Sequence, residues 1–411
     1  MRQLGWLPWV GLAASCWTSS EPIDGAFTQA QFEAIKQQLT RPLPGDSCAF
    51  AQLAAGAPCS AAIDLARDLF FDKALSAGST YGMCTDPNQA ATPVACATCH
   101  DPRRGLIDTR SPDNVSAGAL GPTGRNAPTL FDLAFKVELA PADNADTFTW
   151  SGGSSPSTTY TRPGQVFELA LTRPMASNDA RVACVVRNTP SYLASYETAF
   201  GTGPGTDPDS MVVARVEQAF DTYFATLNSV PSAFDRYLAG DDGAISTAAQ
   251  LGFGVFAGRG QCIECHGGPL LSDLAFHDTG VPQTGAPDIG HEAVEPDGYA
   301  ASFLTPPLRG VAATGPYMHD GSLATLDDVV AFYNAGGAAG AGGPHDPRVV
   351  PLGLEDDDAA NLVAFLRSLG ASCIGSDGLP ADATLVPSPC DPCEGRCTAT
   401  QMCNKETGTC E

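Results

Sequence analysis

Two five-residue stretches decide how this chain is read: Cys96-Ala97-Thr98-Cys99-His100 and Cys262-Ile263-Glu264-Cys265-His266. Both are CxxCH. With 15 Cys and 6 His in 411 residues, one such stretch is expected by chance only ~0.008 times, so a pair points to shared chemistry. The spacing suits covalent attachment of a c-type haem. Two thiols form thioethers with the vinyl groups, and the adjacent His lies under the iron as proximal ligand. A redox CxxC or a disulfide are the alternatives, and a His closing both copies argues against them.

Outward from the motifs, the two halves repeat one plan. The segment AAIDLARDLFFDKAL (61–75) places Ile63, Leu65, Leu69, Phe70 and Leu75 at helical spacing before the first motif. AISTAAQLGFGVFAG (244–258) does the same before the second. Further helices are expected within FTQAQFEAIKQQL (27–39), over 208–238, over Thr325–Tyr333 and over 355–369. Gly- and Pro-rich loops fill the rest, strand signals are sparse, and the repeat length is ~170 residues, too long for a solenoid. The expected fold is mainly α and loop-rich, with two cytochrome c-like haem domains in tandem and a small disulfide-rich C-terminal tail. The expected boundaries are 1–16 for an export peptide, 17–60 for a lead-in, 61–239 and 240–372 for the two haem domains, and 373–411 for the tail.

A formal charge of -24 argues against nucleic acid and anionic membrane surfaces as partners and favours a basic one. The start, MRQLGWLPWVGLAASC, has the order of a short secretory signal. Leu12-Ala13-Ala14-Ser15-Cys16 resembles a lipobox, which would tether the protein through a lipid on Cys16; simple cleavage is the alternative. A periplasmic or cell-envelope location is expected. Ten cysteines then remain outside Cys16 and the motifs, an even number that suits disulfides in an oxidising compartment. Cys48 and Cys59 close a short loop and are expected to pair, and Cys84 with Cys184 is the pairing expected across the first large domain. Five cysteines between 390 and 410 read as a stapled knob, with a zinc site as the lesser alternative.

The ordered segments LARDLFFDKALS, CATCHDP, GRNAPTL (124–130), FTW (148–150), CIECHGGPLLSD and TPPLRGVAATGPYMHDGSLATLDDVVAFY (305–333) resemble the bacterial di-haem cytochrome c peroxidase family, including its MauG branch. The resemblance covers about residues 61–370. It implies that His100 and His266 are the proximal ligands and that the first haem domain is peroxidatic. It puts Tyr333 at the sixth-ligand position of the second haem, where peroxidases carry Met and MauG-type members carry Tyr. Met318 is the rival ligand and reads as packing. The distal His of many members is missing: no His lies between His100 and His266, and Ala119 falls near its place. An open first haem follows, unless Met83 or Met175 reaches it. The resemblance further implies a calcium ion held by Asn126 and the carbonyls of Thr314 and Pro316, an all-oxygen set that suits this cation. It makes Trp150 an electron relay between the haems. Asp179 is the nearest match to the catalytic acid, with one deletion assumed, and Ala170 stands where the active-site Gln is expected. His277 and His345 read as structural and solvated.

The expected activity is reduction of hydrogen peroxide to water with electrons from a small redox protein such as cytochrome c. A MauG-like oxidase that modifies a partner protein is the alternative. A di-haem electron carrier and a haem-based sensor are the readings from other classes.

Overall fold

The structure is a computed structural model. It describes residues 27–40, 47–85, 90–102, 105–108, 115–139, 148–152, 162–229, 232–282, 288–293, 301–337, 346–370, 403–404 and 409–410. Cys16, His345 and most of the tail lie outside them.

Twelve α-helices are described: α1 (Gln29–Leu39), α2 (Cys59–Phe71), α3 (Cys96–Cys99), α4 (Leu133–Leu139), α5 (Val166–Thr172), α6 (Asp179–Asn188), α7 (Pro190–Phe200), α8 (Asp209–Thr226), α9 (Ala233–Leu238), α10 (Thr247–Ala257), α11 (Leu326–Asn334) and α12 (Asp356–Ser368). The described sheet consists of two-residue antiparallel pairs: Thr80–Tyr81 (β1) with Cys84–Thr85 (β2), Ala117–Gly118 (β3) with Gly121–Pro122 (β4), Phe276–His277 (β5) with Phe303–Leu304 (β6), and Cys403–Asn404 (β7) with Thr409–Cys410 (β8). The mainly helical, loop-rich class expected from the sequence is therefore observed. The helix read over 208–238 is two helices, α8 and α9, with Pro231 between them, a residue that removes an amide donor and disfavours helix before it. Helices α6 and α7 were not anticipated. Asn178 caps the first of them, and Pro190 starts the second at a position that needs no amide donor.

Two apolar cores organise the chain. The first gathers Leu65, Leu69 and Phe70 of α2, Val182 and Val186 of α6, Tyr196 of α7, and Val216, Phe220 and Tyr223 of α8. The second gathers Phe253 and Phe256 of α10 with Leu362 and Phe365 of α12. Phe234 of α9 joins it edge-on to Phe365, with ring centroids 5.0 Å apart, a pairing worth about 0.5–1.5 kcal/mol beyond its buried area. A Cβ on Gly252 would stand 1.8 Å from Asn361 O, so only glycine permits this crossing of α10 and α12.

Core membership departs from the expected boundaries at two places. Phe27, Phe32 and Leu39, from the lead-in, pack in the second core, as do Phe234, Tyr237 and Leu238 of α9. The change of core falls before α9 rather than at residue 240, and α1 is part of the second core's wall. Disulfides Cys48–Cys59 and Cys84–Cys184 are formed as expected.

Candidate functional site: two CxxCH clefts sharing a wall

Each CxxCH opens onto its own cleft. In both motifs the His amide donates to the carbonyl of the first Cys, His100 to Cys96 at 2.9 Å and His266 to Cys262 at 2.8 Å. That single turn gathers two thiols and an imidazole at one end of the cleft. None of the four cysteines is disulfide-bonded. Burial pushes the thiols of Cys96, Cys262 and Cys265 up to about 12. A redox CxxC depends on a depressed thiol pKa, so this environment does not suit that alternative.

The imidazoles are fixed by a device the sequence reading missed. His100 Nδ1 donates to Leu106 O at 3.0 Å, and His266 Nδ1 donates to Leu271 O at 2.9 Å. A carbonyl can only accept, so each ring carries its proton on Nδ1 and leaves Nε2 with a lone pair for a metal. Burial lowers both histidines' pKa and keeps them neutral, the form that ligates. Leu106 and Leu271 both have left-handed backbones, φ 59° and 55°, which cost a non-glycine residue about 1 kcal/mol or more. The same strained leucine carbonyl stands behind both histidines. Arg309, buried, supports the second loop by donating to Pro269 O at 2.6 Å and to Asp235 at 2.6 Å.

The first cleft measures ≈ 460 Å³ and the second ≈ 250 Å³, both far beyond the ~30 Å³ share of one water. Free thiol pairs and an Nδ1-anchored His at each cleft are the donor set that a c-type haem needs. Trp150 borders both clefts, together with Asn126, Ala127 and Pro128. Its Nε1 donates to Asn126 O at 2.8 Å, and its carbonyl accepts from Leu304 of β6 at 2.8 Å. Trp150 is thus tied to the first half of the chain through its ring and to the second through its backbone.

The second cleft brings together most of the remaining expected residues. Tyr333 lines it with His266, and burial pushes the phenol up to about 12. Met318, the rival ligand, lines it too. Asn126, Thr314 and Pro316 border the same cleft, and Asn126 borders the first as well. Asn126 is buried, and its amide nitrogen is turned to Asp108 O at 3.3 Å. His277 sits between Asp273 at 2.9 Å and Asp346 at 2.8 Å and lines the second cleft.

The first cleft is lined by Val166, Phe167, Leu169 and Ala170 of α5, by Pro174 and Met175, and by Arg125 and Arg173. Met83 is 77% exposed and absent from this wall, whereas Met175 is buried on it. Ala119 is buried beside it, while its neighbours Gly118 and Leu120 form the wall. Asp179 corrects the sequence expectation. It is exposed at the first position of α6, where its charge favours the helix dipole, and it does not reach the cleft. Among the described residues no carboxylate lines the first cleft.

Comparison with known proteins agrees with this geometry. The pattern of the di-haem cytochrome c peroxidase family, which includes MauG, matches residues 60–243. The chain is 32% identical over 336 residues to the cytochrome-c peroxidase IdrP2 of Denitromonas iodatirespirans, covering 75% of this chain and 81% of that one. The chain belongs to the di-haem cytochrome c peroxidase family. It is therefore a di-haem oxidoreductase, and the family carries two c-type haems. The methylamine utilization protein MauG of Methylorubrum extorquens is 30% identical over 316 residues, covering 75% of this chain and 78% of its own. Among solved structures, a MauG-like protein associated with microbial copper homeostasis superposes with a TM-score of 0.62 at 28% identity, covering 79% of this chain and 94% of that one.

Proposed function

We propose that this di-haem peroxidase reduces hydrogen peroxide to two waters at the first cleft, consuming two electrons and two protons. A small external redox protein supplies the electrons by way of the second cleft and Trp150. The observation that carries this reading is Trp150 on the wall of both clefts. When bound, the haems supply iron that takes and passes single electrons. His100 and His266 would hold that iron through Nε2, while their Nδ1–H groups donate to the carbonyls of Leu106 and Leu271. The apolar wall of α5 limits water at the first site. Tyr333 would supply an oxygen ligand at the second, and anionic oxygen lowers a haem's potential relative to Met. That residue favours a second reading, a MauG-like oxidase whose reductant is a side chain of a partner protein.

Asn126 with the carbonyls of Thr314 and Pro316, residues that all border the second cleft, would offer a hard-oxygen set for calcium. Export, with or without a lipid on Cys16, fits the disulfides. The charge of -24 fits a basic electron donor.

Low-temperature EPR of the resting ferric protein tests the assignment. One high-spin and one low-spin haem are expected; two low-spin haems overturn the open first site. Tyr333→Met should raise the second haem's midpoint potential, and an unmoved potential removes Tyr333 as ligand. Turnover with reduced cytochrome c and peroxide separates the peroxidase from the oxidase.

A further inference from the structure

Lys136, on α4, is 2% exposed and lines the second cleft beside Thr129 and Trp150. A buried ammonium group is costly unless an anion meets it. Among the described residues, no hydrogen bond forms at its Nζ. Asp132, one helical turn earlier, attracts it electrostatically. Yet Asp132 is engaged by Ser229, whose backbone N–H donates to Oδ1 at 3.0 Å and whose hydroxyl donates to Oδ2. The other lysine or arginine on that wall, Arg348, is already paired with Asp346 at 2.6 Å. Burial pushes Lys136 down to about 8, so near neutral pH it keeps its charge within the cleft.

We propose that Lys136 is the counter-ion of a propionate carboxylate of the haem in the second cleft, and that its charge raises that haem's reduction potential. The proposal rests on the reading of this cleft as a haem site. Porphyrin propionates are the anions such a ligand brings, and an ammonium group held beside one fits the cation that the wall presents. A fixed positive charge in low dielectric favours the less positive, ferrous state of the iron. Lys136 therefore opposes the potential-lowering effect of an oxygen ligand at Tyr333.

The test compares Lys136→Gln, Lys136→Met and Lys136→Arg with the unsubstituted holoenzyme. Haem content is read first, by pyridine haemochrome absorbance and intact mass; each haem is then titrated potentiometrically. In the Gln and Met variants the second haem's midpoint should fall, the first haem's should move less, and a propionate-bending band of one haem should shift in resonance Raman. The Arg variant should retain the unsubstituted values. Fewer than two haems in the unsubstituted protein overturns the haem reading and this proposal with it. Two haems with an unmoved second midpoint in the Gln variant overturns the role of Lys136 alone, as does a shift confined to the first haem. The Gln variant, close in length and still polar, carries the test if the Met variant does not fold.

Discussion

His100 and His266 are held alike, each by a leucine carbonyl with a left-handed backbone, whereas the two cleft walls differ outside the segment 126–128 and Trp150 that they share. The second wall carries Tyr333, Met318, His319 and the buried Lys136. The first carries a helix of apolar residues, Met175 and two arginines. What repeats is what covalent attachment and proximal ligation need. What differs is what sets coordination and potential once the cofactor is in place. Two sites with one attachment chemistry can therefore hold different jobs.

The harshest way to break that comparison is to remove one attachment at a time. Cys96→Ala with Cys99→Ala should cut haem content from two to one and abolish peroxide turnover, leaving the second haem's spectrum in place. Cys262→Ala with Cys265→Ala should remove the other haem and leave a protein that still binds ligands at the first. Haem absorbance and peroxide consumption read both. If the two double variants give the same residual spectrum, the walls do not differentiate the sites.

Stability offers the next contrast, because both described disulfides staple the first core's surroundings. Cys84–Cys184 spans 100 residues and Cys48–Cys59 spans 11. Loop-closure entropy assigns about 4–5 kcal/mol to the longer and about 3 kcal/mol to the shorter. Replacing Cys84 and Cys184 by Ser should lower the melting temperature more than replacing Cys48 and Cys59, by calorimetry on the holoprotein. Equal losses would mean that residual structure in the unfolded chain has removed the difference.

Trp150 is where the two regions meet, and Trp150→Ala should leave both haems attached while slowing electron exchange between them. An effect of about tenfold or more, or ~1.4 kcal/mol on the barrier, is expected from stopped-flow mixing of the half-reduced enzyme with peroxide. An unchanged rate would move the relay elsewhere on the shared wall.

Local patterns carried much of the reading and long-range contacts carried the rest. The CxxCH pairs, α2, α10 and α12 follow from short spacing and helical periodicity, and the Cys48–Cys59 disulfide from the short loop it closes. Lys136 gave no local signal, because a lysine in LFDLAFKVEL reads as a solvated helix residue until α4 is packed against Leu270 and Leu274. Leu106 and Leu271 likewise look like ordinary core leucines. Only the folded loop shows that their carbonyls are wanted and that their backbones are bent to present them. Asp179 failed for the converse reason: spacing from a proline carries no information about which way the first turn of α6 faces. α9 was drawn toward the wrong core because the apolar pattern runs on unbroken from α8 into α9.

The smallest expected effect sets the two regions at opposite ends of the pH scale. Behind α5, the carboxyl of Glu217 is pushed up to about 7, chiefly by burial and then by the neighbouring Glu168. Asp221 is pushed up to about 6 by burial, against the opposing pull of the Gly164 amide and Arg162. An acid whose folded-state pKa is raised binds its proton more tightly when folded. Its contribution to stability is fully present below the unfolded value and is lost as pH rises through 6 to 7. At the second cleft the signs reverse. Hydrogen bonds from Arg348 hold Asp346 below the usual carboxylate range, and His277 lowers Asp273 against the effect of burial. Those two contribute stability above the unfolded pKa and lose it on acidification. Glu217→Gln should therefore gain on the unsubstituted protein between pH 5 and pH 8 by at least the ~1.4 kcal/mol that one pKa unit represents. Asp346→Asn should lose its destabilising effect as pH falls below about 4. Hydrogen exchange across the same pH range should place the alkaline loosening on α5 and α8 and the acid loosening on the 273–277 and 346–350 segments. Loosening of both segments at the same end would show that the two clefts share one electrostatic environment, and that their difference lies in ligands alone.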